Sequence, residues 1–92
     1  MSRAPKAAAF APAEYEASDI GAIQALFRGE ATAATQQRAL RFIIEEICKT
    51  YDLSYRPASD RETVFAEGRR FVGLQLVKLT KLNMQALRSK NG

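Results

Sequence analysis

Apolar side chains recur along this chain at intervals of three and four residues, with almost no strict alternation. Leu40, Ile43, Ile44, Ile47, Cys48 and Tyr51 fall at i, i+3, i+4, i+7, i+8 and i+11, one face of an α-helix. This predicts a helix over about 33–51, with Thr32 or Thr35 near its start. Arg38, Arg41, Glu45, Glu46 and Lys49 take its other side, and Arg41 with Glu45 forms an i,i+4 pair worth a few tenths of a kcal/mol. Upstream, Ile20, Ile23, Leu26 and Phe27 share a face. They predict a helix over about 18–28, capped by Ser18 or Asp19 and stopped by Gly29. Gly21 weakens it by ~1 kcal/mol relative to alanine.

Downstream, Val64, Phe65, Gly68, Phe71, Val72, Gln75, Leu76, Leu79 and Leu82 make a broad inward stripe. The helix starts at Ser59 or Asp60, where Ser59 and Glu62 match a capping box. It continues through Met84 to Leu87. Gly68 and Gly73 each cost it ~1 kcal/mol. Either another backbone approaches closely there, or an aromatic ring, Tyr51 or Tyr55, lies over the gap. Leu53 and Tyr55 are expected to pin the connector 52–58 to the core, and Pro57 disfavours helix at Arg56. The expected fold is all-α: a small three-helix domain over 15–92 with a flexible N-terminal arm, 1–14. Its expected core is Leu40, Ile43, Ile44, Ile47, Phe65, Phe71, Val72, Leu76 and Leu79, buried within the monomer or against a partner.

Composition sharpens this outline. Ninety-two residues make one small domain that buries only ~60–65% of its unfolded surface, so a partner or oligomer can supply stability. With no His and one Cys, a structural zinc site and a Ser-His or Cys-His nucleophile pair are not expected. Cys48 reads as a small buried hydrophobe. No apolar run reaches the ~20 residues of a membrane span. The start of the chain, broken by Pro5 and Pro12, reads as an arm rather than a signal peptide.

The net charge of +4 is unevenly spread: residues 1–13 carry +2, 14–67 carry −4, and 68–92 carry +6 with no acid. Such a basic segment meets phosphate or an acidic protein surface, or is a solvated helix face. Glu45 and Glu46 are adjacent and diverge on a helix, Glu62 and Glu67 are five apart, and no phosphate-binding glycine loop follows a strand. No catalytic signature emerges, and no cofactor, metal or small-molecule substrate is implied. Candidate partner-binding residues are Phe10, Arg69, Arg70, Lys78, Lys81, Arg88 and Lys90. Phe10 either docks on a partner or is a stray exposed ring. Arg69 and Arg70 diverge; their forks suit carboxylate or phosphate, and the options are an internal salt bridge to Glu62 or Glu45, a protein partner, or nucleic acid. Lys78 and Lys81 share a face with Gln85 and Arg88. No aromatic interleaves that stripe and no helix-turn-helix turn accompanies it, so its nucleic-acid signal is weak.

The segment around Phe65, Glu67, Gly68, Arg69, Arg70, Phe71, Val72, Gly73 and Leu74, preceded by Tyr51, Tyr55 and Asp60, resembles a family of small tailed-phage proteins of the Bordetella-podophage type. The similarity spans roughly residues 48–82. It implies a non-enzymatic, virion-associated protein, bound in many copies to a portal or head-to-tail connector ring and present in the host cytoplasm during assembly. The alternative is a small DNA-binding genome-packaging accessory factor that places Lys78, Lys81, Arg88 and Lys90 on phosphates. The two differ in salt response, because phosphate contacts on duplex DNA weaken with a log–log slope near −0.9 each.

Overall fold

A computed structural model describes residues 9–91, with side chains through residue 89. It is all-α, and no strand occurs among the described residues. Among the described residues there are four α-helices rather than three: α1, Ala17–Arg28; α2, Ala33–Phe42, which runs into a π turn, Ile43–Ile47; α3, Asp60–Lys81; and α4, Met84–Asn91.

Helix α1 begins before the expected Ser18 or Asp19 cap. Glu16 is the N-cap, and Asp19, at the third helical position, accepts the Glu16 backbone N–H at 2.9 Å. Gly29 ends the helix at φ 73°, its N–H donating to the Leu26 carbonyl at 3.0 Å, the left-handed stop that glycine favours. Thr32 caps α2 by accepting the Thr35 N–H at 3.2 Å. Helices α1 and α2 form an antiparallel pair that buries Ala22 and Ala39. Of the larger residues that share the α1 face, Ile20 and Leu26 are partly exposed and Phe27 is almost entirely so.

The second apolar period does not run to Tyr51 because the helix ends in the π turn. The Cys48 N–H donates to the Ile43 carbonyl at 2.9 Å, an i→i+5 bond, and Lys49 takes a left-handed φ of 51° that stops the helix. Beyond that stop Thr50, rather than Tyr51, is buried, and it donates its hydroxyl to the Ile44 carbonyl at 2.7 Å. The expected Arg41–Glu45 pair is not formed among the described residues. Ile44 and Cys48 are buried as expected, while Ile47 and Leu40 are only partly covered.

Ser59 caps α3 by accepting the Glu62 N–H at 3.1 Å, but the Glu62 carboxylate does not return to Ser59. It accepts the Ala9 N–H at 3.0 Å. The inward line of α3 is Ala66, Gly73 and the half-buried Arg69 and Leu76, a rotation of the expected stripe toward smaller residues. Val64, Phe65, Phe71, Val72 and Leu79 are exposed.

Close approach occurs at Gly73, where a Cβ would lie 2.9 Å from the Cβ atoms of Cys48 and Thr50 and would run into the Thr50 hydroxyl. Neither Tyr51 nor Tyr55 covers it, for both are exposed. Gly68, by contrast, faces open space. The connector is held by polar contacts instead of Leu53 and Tyr55: Arg56 donates its N–H to the Thr63 hydroxyl at 2.8 Å. Helix α3 stops at Lys81 because Leu82 is extended and Asn83 restarts the chain, its carboxamide oxygen accepting the Ala86 N–H at 3.0 Å. Asparagine is a strong N-cap, so α4 is a separate helix. It packs on no other element among the described residues.

The result is an open arrangement, 50 × 33 × 22 Å, with a radius of gyration of 16.3 Å against about 12 Å for a compact domain of this length. Its core consists of alanines, Ile44, Cys48 and Thr50.

Candidate partner-binding surface

The seven expected partner-binding residues separate into two groups. Phe10 and Arg69 meet on α3. The Phe10 ring packs edge-on against Phe65 at 4.9 Å between centroids and 60°. The Arg69 guanidinium lies over the other side of this cluster, 5.5 Å from the Phe65 centroid, and donates to the Ala9 carbonyl at 2.7 Å. With Glu62 on the Ala9 N–H, both backbone polar groups of Ala9 are held. Part of the expected arm, from Ala9 onward, is therefore clamped to the domain, and Phe10 finds its first partner inside the chain. Residues 1–8 of that arm lie outside the described residues. Arg69 uses its charge on a carbonyl and an aromatic face rather than on Glu62 or Glu45. Arg70 reaches Glu67 at 3.9 Å, an exposed pair worth little.

Lys78, Lys81 and Arg88 form the second group. Lys78 lies about 13 Å beyond Arg69 along α3 at 1.5 Å per residue. All three are exposed, and none makes an ion pair among the described residues. Exposed Leu79, Leu82, Met84 and Leu87 accompany them, so this end of the chain is both basic and apolar. The Lys90 side chain lies outside the described ones.

The fold also assembles a groove that the sequence reading missed. One compartment of about 460 Å³ is lined by Glu14, Glu16, Asp19, Glu45 and Glu46 together with Arg38 and Arg41. The adjoining compartment of about 430 Å³ is apolar, lined chiefly by Phe10, Pro12, Ile47 and Phe65, with Arg69 at its edge. Tyr15 and Phe42 border both compartments. Arg38 bridges Asp19 at 3.0 Å and Glu16 at 3.2 Å. The Asp19 carboxyl is held below its ordinary range, chiefly by the Glu16 backbone N–H, which outweighs the opposing effect of burial, with Arg38 adding to the lowering. Glu46 takes Lys49 at 3.4 Å. Glu14 and Glu45 remain exposed without an ion pair among the described residues. The signal available in the sequence was the −4 of residues 14–67; the convergence of positions 14–19 with 45–46 needed the α1–α2 pair.

Burial pushes the Cys48 thiol up, with Arg69 opposing part of the shift. Among the described residues, no group of three His, Cys, Asp or Glu side chains converges as a metal site would. No helix among them is long and apolar enough to cross a membrane. No family model matches the chain, and no curated protein or solved structure matches it.

Proposed function

We propose that this chain is a non-enzymatic structural subunit of a tailed-phage virion, bound in several copies to a portal or head-to-tail connector ring and present in the host cytoplasm during assembly. The resemblance of residues 48–82 suggests the setting. The observation that carries the reading is the surface the fold leaves open. The accessible area is 7283 Å², against about 5,300 Å² for a compact monomer of this mass. The surplus of about 2,000 Å² on this one chain exceeds the ~800 Å² that each partner contributes to a standard protein–protein interface. It includes the outward apolar side chains of α3, Val64, Phe71, Val72 and Leu79. A subunit that completes its apolar packing on a larger protein has this character.

A DNA-packaging accessory role is the second reading, favoured by the exposed Lys78, Lys81 and Arg88. Paired titrations at low and moderate salt separate the two, one against the isolated ring protein and one against duplex DNA. Tight, salt-resistant ring binding with weak, salt-sensitive DNA binding is the expected pattern. The reverse pattern transfers the role to packaging, since phosphate contacts are the salt-sensitive ones.

A further inference from the structure

We propose that the chain self-associates head to tail, the basic and apolar segment 78–88 of one copy docking in the acidic and apolar groove of the next. This goes beyond the virion role and does not require it. Three observations converge. The first is a match of character. The groove has an acidic compartment, lined by five carboxylates against Arg38 and Arg41, with Glu14, Glu45 and Arg41 left outside the ion pairs among the described residues, and it is joined through Tyr15 and Phe42 to an apolar one. The segment carries Lys78, Lys81 and Arg88 beside exposed Leu79, Leu82, Met84 and Leu87. Cations can face the carboxylates while the leucines and Met84 cover the apolar half.

The second observation is that the two surfaces do not meet within one copy. Phe65 and Arg69, at the groove, lie in the first half of α3. The segment begins about 13 Å further along the same rigid helix, and α4 beyond it packs on no other element among the described residues. The third is area. The surplus of about 2,000 Å² over a compact monomer leaves room for the ~800 Å² that each partner buries in a standard interface.

Groove and segment are different patches, so the contact is heterologous. Repeated, it closes into a ring or runs on as a filament, according to the rotation between neighbours. Opposite charges set the register and partner choice, and the apolar half supplies the retention.

The test is sedimentation of the purified full chain, alone, over a concentration series at about 50 mM and about 300 mM salt, two sides of substantial screening. Two variants accompany it: Lys78→Glu/Lys81→Glu/Arg88→Glu and Glu14→Lys/Glu45→Lys. All five positions are exposed, and circular dichroism checks that each variant keeps its helicity. The wild-type chain is expected to form oligomers that weaken at the higher salt. Each variant alone should associate at least ~10-fold more weakly, because like charges then face each other across the contact. An equimolar mixture of the two variants should associate again, since each then offers the charge its neighbour lacks. A wild-type chain that stays monomeric overturns the proposal, including one that is monomeric yet binds duplex DNA. So does association that survives both reversals, which would indicate an apolar contact of different geometry, or failure of the mixture to recover. None of these outcomes bears on whether the chain occurs in virions.

Discussion

Gly73→Ala is the substitution that most sharply tests the packing of α3 against the π turn. In an open helix it should stabilise by about 1 kcal/mol, since glycine is the poorer helix former. Here the added methyl would sit 2.9 Å from both Cys48 Cβ and Thr50 Cβ and would collide with the Thr50 hydroxyl. Two costs follow. Overpacking a tight contact costs ~1–3 kcal/mol. If Thr50 swings away, its hydrogen bond to the Ile44 carbonyl at 2.7 Å is lost inside the protein, at ~1–3 kcal/mol. Since relief of one cost incurs the other, the two do not add in full. The net expectation is destabilisation of ~1–3 kcal/mol after the helix gain. Gly68→Ala is the internal control: it meets nothing within 4 Å and should gain up to ~1 kcal/mol. Urea denaturation followed by circular dichroism reads both. A Gly73→Ala chain as stable as wild type, or a pair of glycine variants that shift together, would falsify the close approach.

Further outcomes follow from the same contacts. Ile44→Ala, at the one large aliphatic side chain in the core, should cost ~2–4 kcal/mol, whereas Phe71→Ala should barely change the melting temperature of the isolated chain; equal losses at both sites would contradict the burial described. Asp19 titrates lower in the folded chain than in the unfolded one, so the stability it contributes is present above the unfolded value near 3.8 and is lost as pH falls through the lower folded value. Asp19→Asn should flatten the acid limb of a pH–stability curve in that window, and an unchanged limb refutes the link. Glu62→Ala should expose the Ala9 amide, raising its hydrogen-exchange rate ~5-fold or more for loss of a net ~1 kcal/mol hydrogen bond; an unaltered rate would show that Glu62 does not hold the arm.

The all-α class was legible because helical spacing dominates the chain, and the ends marked by Gly29 and Ser59 were legible because left-handed stops and hydroxyl caps act locally. What the sequence concealed came from local backbone geometry and from a change of helix register. The left-handed Lys49 ends the π turn, and the turn beyond it puts Thr50, not Tyr51, on the inward side. On α3, a modest rotation places Ala66 and Gly73 inside and leaves Phe71, Val72 and Leu79 outside, although the larger residues carry the stronger apolar pattern. An apolar stripe marks a face that will be covered, without saying whether the cover is the same chain. The basic end was visible as a run of charge. The groove was not, because its carboxylates come from the start of α1 and the end of α2, far apart in sequence and brought together only by the pair, and its apolar wall needs Phe10 held on Phe65 by Arg69 and Glu62.

The proposed virion role is tested most directly by quantitative mass spectrometry of purified tailed-phage particles assembled in cells that produce this chain, before and after nuclease treatment and high salt. A structural subunit should be present at a fixed number of copies per particle, consistent with ring symmetry, and should remain when the DNA is gone. Its absence from mature particles, or its loss together with the genome, would contradict the account.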